Sequence, residues 1–259
     1  MIQTVLRYPG AKWVLSKWIC DNLPSHEVYL EPFFGSGAVF FGKKPCHTET
    51  INDLDGDVVN LFKVIRERAE ELCEAVSLTP WARDEYYKSY KCDSSDDVER
   101  ARVFLVRCWQ AFGTRTGQRS GWRNRTIGKS PKEPNTWRKL PERIQAAADR
   151  LLGVQIENTD ALSLIGRYNS TNCLIYADPP YMAGTRSKSI YAYECDDGYH
   201  VRLLDKLTAH SGSVVLSGYD SPLYNERLKD WRRIEKDARA ERGMGRREVL
   251  WIKEAVANE

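Results

Sequence analysis

Short apolar runs that end in glycine or acidic turns, each followed by a helix-length segment, constrain this 259-residue chain more than any other feature. Val28 to Leu30 runs into EPFFGSGAVFF, where two glycines flank a serine before a new apolar segment expected to be helical. Glu49 to Ile51 ends in NDLDGD and opens a helix with apolar positions at Val58, Leu61, Phe62, Ile65, Leu72 and Val76. Beyond residue 150 the texture returns, with strands expected at 154–156, 174–177 and 213–217, a helix at 199–209, and two last strands at 231–234 and 248–253. A short helix over 11–20, ended before Pro24, precedes them all. Alternation of this kind places crossover helices over a parallel sheet, so the fold class is α/β.

From about 63 to 149 the strand signals vanish and the chain reads as an inserted helical lobe. Ser94 or Ser95 can cap a helix with Asp96 and Asp97 in its first turn and an apolar stripe of Val98, Ala101, Leu105, Cys108, Trp109 and Phe112, ending at Gly113. Another helix runs from Pro141 to Leu152. Between them, residues 113–139 hold eight Lys or Arg against one Glu, a local charge of +7 that leaves −4 for the rest of a chain whose net charge is +3. A focused positive stripe that also contains Trp122 and Trp137 has the make-up of a phosphate-tracking loop; a solvated basic loop is the alternative. Arg239, Arg242, Arg246 and Arg247 form a second basic group, at the tip of the final hairpin or in a simple solvated turn.

Bulk properties remove several classes. Hydrophobic residues at 42% and charged residues at 29% exclude collagen-like and wholly disordered chains. No run approaches the roughly 18 apolar residues that cross a bilayer, and MIQTVLRYPGAKW lacks a secretory h-region, so a cytoplasmic protein is expected. The seven cysteines are scattered without a CxxC pair, and the four histidines show no ligand spacing. Neither a disulfide framework nor a bound metal is expected.

The chemistry-bearing segment is Asp178-Pro179-Pro180-Tyr181, at the carboxyl end of the apolar run LIYA, where open α/β sheets bind ligands. An exocyclic ring amine is a poor nucleophile, because its lone pair is shared with the ring, and it needs acceptors held against its two N–H bonds. Asp178 can supply one; the Pro179 carbonyl can supply the other, since proline keeps its C=O while its ring stiffens the turn. Tyr181 would stack on the base, which has to leave a duplex for its amine to be reached. In Glu31-Pro32-Phe33-Phe34-Gly35-Ser36-Gly37, Gly35 and Gly37 let backbone amides approach a ligand. GAVFFGKK over 37–44 is not a P-loop, since it ends in Lys where Ser or Thr must hold magnesium, and Phe40 breaks a GxGxxG fingerprint. Asp53 is placed for ribose hydroxyls, with Asp55 as a helix cap, and Asp160 is either a second cofactor carboxylate or a cap. In Arg7-Tyr8-Pro9-Gly10-Ala11-Lys12, Tyr8 can face a cation and Lys12 a carboxylate, or the two can be a core aromatic and a surface charge.

With RYPGAK, EPFFGSG, NDLD and DPPY in this order, the chain resembles the Dam-like adenine-specific DNA methyltransferases of the DPPY alpha group. The resemblance implies a Rossmann-like S-adenosylmethionine-dependent methyltransferase domain built from residues 1–62 and 150–259, interrupted by a mainly helical target-recognition domain at 63–149. It implies S-adenosylmethionine bound by Tyr8, Lys12, Asp53 and Asp178, with Glu31, Phe33, Gly35, Gly37 and Asp160 around them, and catalysis by Asp178, Pro179, Pro180 and Tyr181. VVLSGYD (214–220) would line the base pocket and REVLWI (247–252) form the closing hairpin. The implied partner is double-stranded DNA, contacted by Arg115, Arg119, Arg123 and Arg125 at guanines or phosphates, together with Trp122 and Lys129. Thr126-Ile127-Gly128 lacks the proline that precedes Phe-Gly in GATC-methylating members, so GATC and other targets both stay open. So do a lone methylase and one paired with a restriction endonuclease, the amine of cytosine or of RNA as acceptor, and a binding module with a relic cofactor site.

Overall fold

The computed structural model describes residues 2–113, 119–124, 132–181, 195–239 and 245–255. Chain order is α1 (Ser16–Cys20), β1 (Val28–Glu31), β2 (Thr48–Asn52), α2 (Gly56–Glu67), α3 (Ala69–Leu78), α4 (Arg83–Ser89), α5 (Asp97–Gln110), α6 (Lys132–Trp137) and α7 (Leu140–Leu151). Then follow β3 (Gln155–Glu157), α8 (Ala161–Arg167), β4 (Cys173–Ala177), α9 (Asp197–Ala209), β5 (Ser213–Tyr219), α10 (Pro222–Arg227), β6 (Arg232–Arg239) and β7 (Gly245–Lys253). The strands form one sheet in the order β3-β2-β1-β4-β5-β7-β6. The first five are parallel, and β7 pairs antiparallel with both β5 and β6. Leu30 of β1 sits in register with Thr50 on one side and Ile175 on the other. The chain therefore leaves β1 toward one edge and later returns to build the other, which opens a crevice beyond the carboxyl ends of β1 and β4.

Side-chain alternation along the strands loads both faces. Tyr29, Ile51, Tyr176, Val215 and Leu250 point into one core with Leu61 and Phe62 of α2, Leu72 of α3, Leu105 and Trp109 of α5 and Ile144 of α7. Leu30, Ile175, Ala177, Leu216 and Trp251 point into the other, against Leu164 of α8 and Leu203 and Leu207 of α9. The helical segment is thus packed on a sheet face and shares its core. The expected boundaries at 62/63 and 149/150 fall inside α2 and α7, because both helices bury one face against that core. Helices α5 and α7 hold the N-terminal segment: Trp109 Nε1 donates to the Val5 carbonyl at 2.8 Å, Arg143 to that of Thr4 at 2.9 Å, and the Arg7 guanidinium lies 4.3 Å from the Trp109 ring.

Several local expectations need correction. The long helix expected from 57 breaks at Arg68, whose backbone (φ −138, ψ 41) leaves the helical region between α2 and α3. Residues 38–42, expected to be helical, form successive turns that bury Val39, Phe40 and Phe41. Asp96 rather than Ser94 or Ser95 caps α5, accepting from the amides of Val98 and Glu99, while the Ser94 hydroxyl accepts from the Asp96 amide. Helix α5 stops at Gln110, so Phe112 leaves the apolar stripe and is 73% exposed.

Charge also ties the layers together. Glu49 of β2 is buried between Lys43, 2.6 Å from its Oε1, and Arg150 of α7, at 2.5 Å from Oε2 and 2.8 Å from Oε1. Removing one member strands the others without a counter-charge. Glu49→Ala is expected to lower unfolding free energy by about 3–5 kcal/mol in urea titrations, and a loss below about 1 kcal/mol would show the cluster to be dispensable.

Candidate active site

A cavity of about 390 Å³ opens beyond the carboxyl ends of the central parallel strands, lined among others by Tyr8, Lys12, Glu31, Phe33, Gly35, Asp53, Asp178, Pro180 and Tyr199. Asn52, the last residue of β2, cinches the strand tips: its Nδ2 donates to the carbonyls of Pro32 at 2.9 Å and Thr159 at 3.1 Å, and its Oδ1 accepts from the Thr159 amide at 2.9 Å. Asp53 then holds the glycine turn, accepting from the Gly35 amide at 2.7 Å and from the Asp55 amide at 2.9 Å. Gly35 has φ +49, and a Cβ there would stand 3.1 Å from the Tyr8 ring, so glycine lets that ring close the turn. The Tyr8 hydroxyl donates to Asp55, which also caps α2. Gly37 serves packing instead of lining the cavity: at φ +67 its Cβ would stand 2.4 Å from the Phe34 ring. Asp160 caps α8 through the Ser163 amide and hydroxyl, and its neighbours Thr159 and Ala161 reach the cavity wall.

The opposite wall carries Asp178 and Pro180 of the DPPY segment, whereas Pro179 and Tyr181 are not among the residues that line the cavity. Strand β4 is buried throughout and leads directly into Asp178, whose Oδ1 accepts from Lys12 Nζ at 2.9 Å. The same ammonium donates to the Gly10 carbonyl at 3.3 Å and to the Tyr181 hydroxyl. Tyr181 stacks on Tyr219 of β5 with ring centroids 4.1 Å apart. Lys12, read from the sequence as a partner for a ligand carboxylate, thus directs its charge to Asp178.

Burial sets the acidity here. It pushes Glu31 up to about 8, against the Tyr29 hydroxyl that donates to it at 2.6 Å, and the Asp178 charge adds to the rise. It pushes Asp53 up to about 6 despite the backbone amides that favour its ionised form. Asp178 also rises to about 6 through burial, with Lys12 pulling it down and Glu248 pushing it up. Three acids held above their ordinary values around one cavity favour a ligand that brings positive charge and N–H or O–H donors.

A carboxylate and a proline pair at the tip of a buried strand, facing a cavity at the sheet's point of reversal, suit chemistry on an amine. Residues 8–241 match the profile of the family described as D12 class N6 adenine-specific DNA methyltransferase. The chain belongs to this family. It is similar to the Type II methyltransferase M.MjaIII of Methanocaldococcus jannaschii, 24% identical over 248 residues that cover 83% of this chain and 84% of that one. It is also similar to the retron Ec67 DNA adenine methylase of Escherichia coli, 25% identical with 86% and 79% covered. With the DNA adenine methylase of Escherichia coli strain K12 the identity is 22%, with 85% and 82% covered.

In this D12 chain the expected DNA-contacting residues separate. Arg119 is exposed, its guanidinium 5.2 Å from the Tyr87 ring of α4. Trp122 pairs with Ala111, donates to Gln110 at 3.1 Å and lies 5.0 Å from the Arg83 guanidinium. Arg123 is half-buried, with Nε on the Ala111 carbonyl at 2.9 Å. Arg115, Arg125, Lys129, the Thr126-Ile127-Gly128 tripeptide and Arg242 lie outside the described residues. Trp137 leaves the basic stripe: it is 4% exposed and donates to the Thr79 carbonyl at 2.9 Å, so it belongs to the core. Arg83, Tyr87 and Glu248 escaped individual notice in the sequence, the first two because the seven-residue α4 has too few turns to show a period. The seven cysteines form no disulfide. Among the described residues, no helix is long and apolar enough to cross a membrane and no group of three or more His, Cys, Asp or Glu could hold a metal ion.

Glu31 yields a test. Its proton is bound more tightly in the folded state than in the unfolded chain, so its contribution to stability is full below the ordinary value of 4.5 and is lost as pH rises toward about 8. The ligand-free protein is expected to melt at lower temperature as pH rises through this window, and Glu31→Gln to flatten the decline by a few degrees, on the order of what 1–2 kcal/mol does in a chain of this size. Parallel melting curves for the two proteins would refute the burial argument.

Proposed function

We propose that the cavity binds S-adenosylmethionine and that Asp178, Pro179, Pro180 and Tyr181 present to it a flipped-out adenine of double-stranded DNA. The reaction class comes with the family: methylation of the N6 amine of adenine in DNA. The observation that carries the site assignment is Asp178 itself, on the cavity wall at the end of β4 with Oδ1 fixed by Lys12. Among the described residues, its Oδ2 accepts no hydrogen bond, which leaves that oxygen for an amine.

S-adenosylmethionine, when bound, supplies a methyl group on a positively charged sulfur. Glu31, Asp53 and Asp178 match its positive charge and its amine and hydroxyl donors, while Tyr8, Phe33 and Tyr199 offer flat surfaces. The Gly35 turn brings backbone close to the ligand. Asp160 acts on this site by fixing the start of α8.

An adenine amine inside a duplex cannot reach a strand tip of this kind, so the base must leave its stack. Tyr181, braced by its stack on Tyr219, is the aromatic side chain proposed to stack on it. Asp178 accepts from one amine N–H and the Pro179 carbonyl from the other, drawing electron density onto nitrogen as it turns tetrahedral. The nitrogen that gains a methyl group must lose a proton, and Asp178 takes it. Burial keeps Asp178 less acidic than an ordinary carboxyl while Lys12 favours its ionised form, so it stands as a carboxylate that can accept that proton. Positioning and acceptor electrostatics carry the rate.

Arg119, Trp122 and Arg123, with Arg115, Arg125 and Lys129 of the same stretch, form the proposed DNA contacts, where guanidinium groups can meet phosphates or guanine edges. The helical segment that carries them is the proposed target-recognition unit.

Asp178→Ala is expected to lower N6-methyladenine formation, read by mass spectrometry of digested DNA, by about 10²–10³-fold or more while leaving DNA affinity unchanged. Wild-type turnover in that variant would remove Asp178 from the mechanism. Arg119→Ala is expected to weaken DNA binding and to reduce the slope of log affinity against log salt by about 1. An unchanged slope would place Arg119 away from the phosphates.

A further inference from the structure

Glu248 is a carboxylate in the otherwise apolar run Glu248-Val249-Leu250-Trp251-Ile252 of β7, and it is 2% exposed. A buried charge at such a place demands partners, and those of Glu248 come from three parts of the chain. Its Oε1 accepts from the Ser217 hydroxyl of β5 at 2.7 Å. Both of its oxygens lie near the Tyr181 hydroxyl, at 3.3 and 3.4 Å. Lys12 Nζ stands 3.5 Å from Oε1, so one ammonium is shared between Glu248 and Asp178.

We infer that Glu248 is a positioning residue for methyl transfer: it holds the Tyr181 hydroxyl and shares Lys12 with Asp178, locking the DPPY segment while leaving the second Asp178 oxygen to the substrate amine. The inference rests on the reading of Asp178 proposed above. The donor sequence is chemically consistent, since Lys12 donates to the Tyr181 oxygen and Tyr181 then donates to Glu248. The charges also balance in a useful way. A single cation between two acids leaves the cluster negative, and the Glu248 charge raises the proton affinity of Asp178 while Lys12 lowers it. Among the described residues, further titratable neighbours are Tyr219 and Lys236, the cross-strand partners of Glu248 on β5 and β6, and Tyr176 on β4, whose phenol feels the Glu248 charge. The Lys236 ammonium lies 5.6 Å from the Trp18 ring.

The experiment measures single-turnover methylation of a saturating DNA duplex by the full chain across the pH range, together with DNA and S-adenosylmethionine affinities. Glu248→Gln keeps the shape and removes the charge. It is expected to be slower by about 10–100-fold with both affinities nearly unchanged. Its acid limb should move to lower pH, because Asp178 loses a neighbouring negative charge. Glu248→Asp restores the charge and should return the acid limb to the wild-type position with partial recovery of rate. Wild-type rate and acid limb in Glu248→Gln would overturn the inference. So would equal slowing of the two variants with no movement of the limb, which marks a purely structural role. If Glu248→Gln does not fold, Ser217→Ala, which frees the carboxylate, is expected to slow single turnover at unchanged DNA affinity, and a wild-type rate there overturns the inference. Turnover by Asp178→Ala would instead defeat the underlying reading of the site, whereas an inactive Asp178→Ala beside an unaltered Glu248→Gln defeats this inference alone.

Discussion

The contact between Lys12 and Asp178 spans 166 residues of sequence and joins an N-terminal strap to the tip of β4. Both groups are largely out of water, and each would be costly alone: an unpaired buried ammonium or carboxylate loses its proton or gains one rather than stay charged. Everything that sets the position of the strap therefore sets the chemistry of Asp178. The helical segment supplies that control, since Trp109 and Arg143 hold the carbonyls of Val5 and Thr4 a few residues before Lys12. A helix of the proposed recognition unit and the acid of the proposed catalytic unit are thus linked through one short stretch of backbone.

The cavity follows from the sheet. Parallel strands end on one side together, so β1, β2 and β4 deliver Glu31, Asp53 and Asp178 to the same crevice, and the reversal of strand order beside β1 keeps a helix from filling it. Glu31 and Asp53 have fixed donors within the fold, the Tyr29 hydroxyl and two backbone amides, and Asp178 has Lys12. Burial nonetheless leaves all three less acidic than in water, and a cationic ligand would return them toward their ordinary values. The site is poised for a positive partner by desolvation as much as by charge.

What could be read in the sequence follows the range of the interaction involved. Strands β1, β2 and β4 stand within a residue of their expected places because apolar runs stopped by Glu-Pro, Asn-Asp and Asp-Pro are local signals, and β5 runs two residues further, through Gly218 and Tyr219, because both pair with β7. The hairpin ran longer than expected because the edge strand β6, RRIEKDAR, has one buried neighbour and exposed charges that hide its period. Helix α8 was missed since its seven residues complete fewer than two turns after an Asp cap. In the site, motif order brought Tyr8, Asp53 and Asp178 to one cavity. The partners of Lys12 and the burial of Trp137 depend on chain segments that approach only after folding, and no spacing records them.

The shared core carries a consequence for how recognition and chemistry relate. If the helices α3 to α7 formed a lobe joined by a linker, its motion on DNA would leave the strand tips undisturbed. Instead Leu72, Leu105, Trp109 and Ile144 interdigitate with Tyr29, Ile51 and Tyr176 on the face of the sheet, and close-packed interiors transmit displacement rather than absorb it. A shift of α5 driven by the proposed DNA contact at Arg119 or Trp122 would reach the backbone of Ala111 and the Trp109 ring, and through them the strap that ends in Lys12. Since Lys12 fixes one Asp178 oxygen, the acceptor geometry proposed for the amine would depend on how these helices are seated.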